Sequence, residues 1–564
     1  MSHHTFAVHC LDCGHVEPFQ LKQTTCSNCG SNWREVHYDL ALTREILEQN
    51  LHTRPFDLWR YRELLPIAEY IPYLSMGEGG TPLVHAKNLG MMLGCPTLYI
   101  KDERQGPTNS FKDRQAAVAI AAMKEAGITE AVLASTGNVA ISYSAYAARA
   151  GIKLWAFLTS LVPLEKMREV AIYGTKVVKV TGTYDEAKRL AAEFARQRNL
   201  HLERGACSIP SVESMKTLAF EISEQLAHYY DAEPQEKPTA SPILRWKAPD
   251  WYVQSVSGGI GPLGVLKGFS ELYEMGLIDR VPSIACIQAE GCAPMVAAWK
   301  SNKAVADPIL APKTHITTLS TGDPGRTYTV LRERMLNLGG GAFESVSDEE
   351  TFRMIHLLAK LEGLSTESAA AVAFAGVVKL FRQGVIKANE IVVVNCTGHT
   401  MPVENLVLGD GWSTDITAPR QELETKPQEG LYGALSNLAP EKIRKIVIID
   451  DIEDARRLLR RILQSQGEFI IREADSGKAG IQMIKEDPPD LIILDLMMPE
   501  MDGFAVLNLL QEYPNLASIP VIVVTAKELT KDEQILLRGK VKALMHKGKF
   551  MSDDLADEIL EAIN

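Results

Sequence analysis

A chain of 564 residues is too long for one hydrophobic core, and its length points to roughly three or four domains. Its 46% apolar and 23% charged residues are the composition of a soluble globular protein, and no apolar run approaches the ~20 residues of a membrane span. A net charge of −12 argues against nucleic acid or an anionic membrane surface as a partner. The first ten residues lack the basic start and apolar core of an export signal. Of nine cysteines, Cys95, Cys207, Cys286, Cys292 and Cys396 are scattered without pairing logic, so reduced thiols and a cytoplasmic location are expected.

The other four cysteines open the chain. Cys10-Leu-Asp-Cys13-Gly14 and Cys26-Ser-Asn-Cys29-Gly30 are two knuckles whose spacing lets paired thiolates reach one ion. Four thiolates suit tetrahedral Zn²⁺ with no open position, which makes residues 1–38 a structural zinc ribbon. A redox Cys-x-x-Cys or chance clustering is the plainer alternative. His9, His15 and His37 read as solvated neighbours, because the four sulfurs already fill the shell.

Residues 39–73 form a connecting segment, with a helix expected over Leu40–Asn50 and a bridge over Trp59–Pro66. From 74 to 412, β-rich runs alternate with amphipathic helical ones, the pattern of an α/β protein. Strands are expected at Thr97–Ile100, Ala131–Ser135, Lys153–Leu158 and Lys176–Val180, and helices at Ser110–Ala126 and Ala140–Ala150. The stretch Pro107-Thr-Asn-Ser-Phe-Lys-Asp-Arg114 places Lys112 at the head of the first helix. It is either a solvated surface lysine or the covalent anchor of a carbonyl cofactor.

Three other stretches bear on that choice. Trp251–Val256 reads as a strand running into Ser257-Gly-Gly-Ile-Gly261 and a helix, so that several N–H groups and a helix N-terminus converge where a phosphate can sit. Ser135-Thr-Gly-Asn138 is a second strand-to-helix turn, suited to a carboxylate. Thr397, straight after the strand Ile391–Val394, offers a hydroxyl to a pyridine nitrogen. A lysine, a phosphate cradle, a ring-nitrogen partner and a ring-hydroxyl donor together describe a pyridoxal phosphate site. A glycine-rich turn alone is weak, since a dinucleotide fingerprint looks similar.

The order Gly77-Glu-Gly-Gly-Thr81, Pro107 to Arg114, Ala134 to Asn138, Thr217-Leu-Ala-Phe-Glu221 and Thr397-Gly-His399 resembles the threonine synthases. These are fold-type II pyridoxal phosphate enzymes, some with an N-terminal zinc ribbon. The resemblance implies that Lys112 is the catalytic residue bound to the cofactor and that Asn138 meets the ring hydroxyl. It assigns the phosphate to Ser257, Gly258, Gly259, Ile260 and Gly261, the ring nitrogen to Thr397, and the substrate carboxylate to Ser135, Thr136 and Gly137. The chain departs from the family at Val139, where a small hydroxyl residue is usual, at Gly258–Pro262, at Thr400-Met-Pro402, and at Thr366-Glu367-Ser368, where a proline is expected.

Residues 413–442 are polar and punctuated by Pro419, Pro427, Gly430 and Pro440, as a linker would be. Beyond it a second strand–helix alternation fills 443–564. Asp450, Asp451, Asp495, Thr525 and Lys547 each follow the C-terminal end of an apolar strand, where an open parallel sheet forms its site. Three carboxylates there suit Mg²⁺, with a hydroxyl and an ammonium for a phosphoryl group. Asp495-Leu-Met-Met-Pro-Glu-Met-Asp-Gly503 and the spacing of the five residues resemble response-regulator receiver domains. The resemblance makes Asp495 the phosphorylated residue, Asp450, Asp451 and Asp495 the Mg²⁺ ligands, and Thr525 and Lys547 the phosphoryl contacts. Gly548 and Leu544 stand where a proline and an aromatic residue are common.

The expected whole is an α/β protein. A small zinc ribbon precedes a fold-type II enzyme of two α/β subdomains, followed by a doubly wound, flavodoxin-like receiver. The resemblance implies conversion of O-phospho-L-homoserine and water to L-threonine and phosphate, regulated by a phosphorylatable receiver. The alternatives are another amino-acid replacement or elimination reaction, such as a cysteate synthase-like one, and a non-catalytic amino-acid sensor. Expected partners are an amino-acid substrate, a histidine kinase or other phosphodonor, and a second copy in a homodimer.

Overall fold

The computed structural model describes residues 6–160, 162–230, 245–399, 444–466, 469–513, 515–527, 529–530, 533, 537 and 540–547. The expected linker, the departure at 400–402 and Gly548 lie outside the described residues. Contacts divide the chain into two compact units. One spans Met1–Ala86, Thr97–His356 and Ser365–Met401, and the other Lys87–Pro96, Leu357–Leu364 and Pro402–Asn564.

The first unit begins with β1 (Phe6–Cys10), β2 (Val16–Glu17) and β3 (Arg34–Tyr38), an antiparallel sheet in the order β2-β1-β3. Val8 and Val36 pair across it, and with Ile209 they make a small core of fully or nearly buried aliphatics. The helix Leu40–Asn50 starts where the carboxylate of Asp39 accepts the N–H of Leu42 at 3.0 Å, and it buries Thr43 and Leu47, one turn apart.

Two sheets build the rest of this unit. β4 (Leu83–His85) and β5 (Leu98–Asp102) precede β6 (Glu130–Ser135), β7 (Lys153–Thr159), β8 (Lys176–Val180) and β9 (His201–Leu202). β10 (Trp251–Ser255), β11 (Ser283–Ala289), β12 (Gly341–Val346) and β13 (Val392–Cys396) follow. The orders are β8-β7-β6-β9, all parallel, and β12-β11-β10-β13-β5-β4, parallel except for β4. Every residue of β5, β10 and β13 is buried, as expected of strands covered on both faces.

In the second unit β14 (Arg444–Ile449), β15 (Phe469–Ala474), β16 (Leu491–Leu494), β17 (Val521–Thr525) and β18 (Ala543–His546) form one parallel sheet in the order β15-β14-β16-β17-β18. This is the doubly wound order with its switch between β14 and β16, so a site is expected at the ends of those two strands. Among the described residues no helix is long and apolar enough to cross a membrane.

Candidate active site

Lys112 opens the helix Lys112–Glu125, two residues later than the helix expected from Ser110. Asn109 takes a left-handed backbone (φ 59°), and Ser110 bridges to Gly398, so the chain turns into the helix only at Lys112. The N–H of Phe111 donates to the carbonyl of Thr397 at 3.0 Å, and that of His399 to Asn109 at 3.0 Å. The lysine segment and the threonine segment, far apart in sequence, are therefore stitched together through their backbones.

Two neighbours of Lys112 fix its helix. Asp113 is buried, accepts the N–H of Thr108 at 2.9 Å, and is pushed up by that burial to about 6. Arg114 is 1% exposed, and its guanidinium reaches Glu103 at 2.7 Å, Glu221 at 2.6 Å and Thr217 at 3.0 Å. Lys101, fully buried, meets the other oxygen of Glu221 at 2.7 Å. Burial alone would raise the Glu221 carboxyl, but Arg114 and Lys101 outweigh it and hold it at about 2. Thr81, whose hydroxyl accepts from Arg114 at 3.1 Å, joins Arg114, Thr217 and Glu221 in one buried charge network.

Lys112 itself has no carboxylate within ion-pair distance among the described residues. Its Nζ lies 4.2 Å from the centroid of the Phe111 ring and 3.4 Å from Oε1 of Gln115. Burial pushes its amine down to about 8. It lines a cavity together with Thr136, Asn138, Ser257, Gly258, Gly259, Ile260, Gly261 and Thr397. The helix Ile260–Glu274 begins at this cavity, capped by Gly259 at φ 86°, a conformation that L side chains rarely adopt. A Cβ on Gly261 would fall 2.3 Å from Nε2 of Gln254, whereas one on Gly258 would meet nothing. Open backbone at a helix N-terminus, a partly buried amine of lowered basicity and a buried hydroxyl at Thr397 are the donor set that pyridoxal phosphate needs, so these residues fit it.

The carboxylate turn is arranged less simply. Thr136 lines the cavity, but Ser135 Oγ accepts the N–H groups of Gly137 at 3.0 Å and Ala140 at 3.1 Å, tying the turn to the start of the helix Asn138–Ala150. Ser135 and Gly137 are not among the lining residues, and Val139 is. Two residues escaped the sequence reading as site members. Glu367 lines the cavity and accepts from Nδ2 of Asn138 at 2.6 Å, while Lys166 reaches Oδ1 of Asn138 at 3.0 Å and Glu367 at 3.3 Å. A mid-segment lysine gave no local signal, and Glu367 showed only as the residue at a missing proline.

The four knuckle sulfurs converge as expected, all within 4.8 Å of one another. Cys10–Cys29 and Cys13–Cys26 are 3.5 and 3.7 Å apart, against about 3.8 Å for the edge of a tetrahedron with ~2.3 Å metal–sulfur bonds. The donor set therefore fits one tetrahedral ion. The amides of Gly14 and Gly30 close the two knuckles on the carbonyls of Cys10 and Cys26 at 3.0 and 2.9 Å.

In the second unit the oxygens of Asp450, Asp451 and Asp495 lie within 4.8 Å of one another, a hard-oxygen set that fits Mg²⁺. Lys547 Nζ sits 2.6 Å from both Asp450 and Asp495. Burial opposes its charge, yet the two carboxylates hold it above its usual range, and burial raises Asp450. Thr525 is buried at the end of β17, and Leu544 is exposed. All five expected residues come together at the strand ends.

The family described as pyridoxal-phosphate dependent enzymes matches residues 74–398, and the response regulator receiver domain matches 446–559. The threonine synthase of Methanocaldococcus jannaschii is 33% identical over 392 residues, which are 69% of this chain and 91% of that protein. The threonine synthase of Mycobacterium tuberculosis is 30% identical over 351 residues, 62% of this chain and 89% of that one. Among solved structures, diaminopropionate ammonia lyase of Escherichia coli covers 72% of this chain and 97% of its own at TM-score 0.49 and 14% identity. The chain belongs to the pyridoxal-phosphate dependent enzymes and carries a response regulator receiver domain behind the enzyme.

Proposed function

We propose that this protein is a threonine synthase-like lyase that converts O-phospho-L-homoserine and water to L-threonine and phosphate, under control of its receiver. The observation that carries the reading is Lys112, a partly buried amine with no carboxylate partner among the described residues, on one cavity with a glycine-started helix and Thr397. Lys112 holds the cofactor, residues 257–261 its phosphate, Asn138 the ring hydroxyl and Thr397 the ring nitrogen. When bound, pyridoxal phosphate supplies an electron sink for charge developing on the substrate carbons. Thr136 and the backbone of the 135–137 turn hold the substrate carboxylate, and Lys112 Nζ, its basicity lowered by desolvation to about 8, moves protons between substrate carbons.

The same reading gives Zn²⁺ to the knuckles in a ribbon at 1–38 and a connecting segment at 39–73. The enzyme domain spans 74–412, the linker 413–442 and the Mg²⁺-dependent receiver 443–564. The scatter of the five cysteines outside the knuckles supports a cytoplasmic place. A histidine kinase or small phosphodonor would charge Asp495.

Borohydride treatment of the cofactor-loaded protein, followed by peptide mapping, should label the peptide that contains Lys112; label on another lysine would refute the site. Phosphate release from phosphohomoserine tests the substrate. A second reading, replacement or elimination on another amino acid, is favoured by the cavity itself. Val139 lines it, and Lys112 is the one cation among its described lining residues. Turnover of serine-type substrates without phosphate release would select that reading, and turnover of neither would select a sensor.

A further inference from the structure

Asn138 has a feature that its sequence motif does not explain. Its side-chain amide lies between a group that can only donate and a group that only accepts. Lys166 Nζ donates to Oδ1 at 3.0 Å, and Glu367 Oε1 accepts from Nδ2 at 2.6 Å. The two flanking groups also pair with each other at 3.3 Å, and their side chains are only 6% and 5% exposed. A flipped amide would set Nδ2 against the ammonium and Oδ1 against the carboxylate, losing both hydrogen bonds and gaining two repulsions. Only one orientation survives. In it Nδ2 spends one proton on Glu367 and has a second to offer, and Asn138 lines the cavity.

The three residues come from separate elements. Asn138 starts its helix, Lys166 lies in the helix Leu164–Ile172, and Glu367 caps the helix Ser368–Arg382. Lys166 gets there by crossing Gly137: a Cβ on that glycine would stand 3.1 Å from Lys166 Cδ, and its φ of 138° is one that L side chains rarely adopt. Glu367 is tied in turn to the ring-nitrogen segment, its N–H donating to the carbonyl of Gly398 at 3.3 Å.

We propose that Lys166 and Glu367 are positioning residues that lock the amide of Asn138 with a free N–H directed into the cavity. There it meets the oxygen of the cofactor ring. The inference rests on the reading that Asn138 faces the cofactor ring. A donor held at that oxygen favours its charged form, so the lock should set the proton affinity of the bound chromophore.

The experiment uses the full-length protein loaded with pyridoxal phosphate, and reads the visible absorption band across pH for wild type, Lys166→Met, Lys166→Arg, Glu367→Gln and Asn138→Ala. Lys166→Met should move the midpoint of the pH-dependent band by about one unit, a ten-fold change in proton affinity, in the same direction as Asn138→Ala. Lys166→Arg, which keeps a donor-only cation, should restore most of it. Glu367→Gln replaces the acceptor-only group by one that can also donate, and should shift the midpoint even if Lys166→Met does not fold. A wild-type midpoint in both Lys166→Met and Glu367→Gln, alongside a shifted Asn138→Ala, would overturn the lock but keep the ring contact. No shift in Asn138→Ala would overturn the ring contact, and the lock with it.

Discussion

Burial of the Lys112 amine makes a quantitative prediction for cofactor capture by the apoprotein. A neutral amine is the nucleophile, and a free lysine with pKa about 10.4 is neutral in roughly one molecule in 2,500 at pH 7. With its pKa pushed down to about 8, Lys112 is neutral in about one in eleven, a gain of about two-hundred-fold. The rate of covalent capture should therefore climb with pH and level off above about 8 rather than above 10. Stability carries the same signature with a definite sign. Between about pH 8 and about 10.4 the unfolded chain binds the lysine proton and the folded apoprotein does not, so folding gains as pH rises through that window. The whole change is about 3 kcal/mol, and below pH 8 the folded apoprotein carries the full cost of the buried charge. Stopped-flow absorbance gives the capture rate, and urea melts of wild type against Lys112→Met isolate this group from other titrations. A capture rate that rises only toward pH 10, or a stability difference without slope between 8 and 10, would refute the reasoning.

Metal analysis of purified protein should find one zinc per chain, lost in Cys26→Ser while the enzyme core still melts cooperatively; a zinc-free wild type would end the ribbon reading. Arg114→Met removes the cation between Glu103 and Glu221 and should cost about 3–5 kcal/mol in denaturant titration, because it leaves buried carboxylates short of their partner. A loss below about 1 kcal/mol would show the network to be dispensable. Acetyl phosphate with Mg²⁺ should phosphorylate wild type and not Asp495→Asn, and should change lyase turnover. Incorporation without any change in turnover would break the proposed coupling.

Where residues near in sequence do the work, the sequence was readable. Leu40–Asn50 has a cap and a buried pair one turn apart, Thr43 and Leu47, and both of its ends fall where the pattern puts them. β8 does too, and the five receiver residues meet because each follows a strand of one parallel sheet. The head of the Lys112 helix moved by two residues because its boundary is set by a bridge to Gly398, which no local pattern encodes. Glu367 and Lys166 escape local patterns for the same reason: they lie 229 and 28 residues from Asn138, the partner they share. Ser135, expected at the substrate carboxylate, also accepts two N–H groups of its own turn, from Gly137 and Ala140. A short polar turn before a helix gives both readings the same letters.

The two halves of the cavity differ in how their charge is settled, and that difference bears on substrate. The half proposed for the cofactor offers backbone N–H groups, a partly buried amine and hydroxyls, all within short motifs. At Asn138, by contrast, the ion pair Lys166–Glu367 is already internally neutral, and Val139 adds no donor. A phosphate on the substrate carries nearly two negative charges, and burying it without a cation is costly. In the proposed mechanism Lys112 is committed to proton transfer at the substrate carbons, so phosphohomoserine would have to draw Lys166 away from Glu367 or seat its phosphate toward solvent. A substrate with a neutral leaving group faces neither demand. Side-by-side assays of phosphohomoserine and O-acetylhomoserine therefore discriminate. If the synthase reading holds, the phosphate ester is turned over faster, and Lys166→Met raises its KM more than that of the acetyl ester. Faster turnover of the acetyl ester, with KM for both esters unmoved by Lys166→Met, would transfer the function to the neutral-substrate reading.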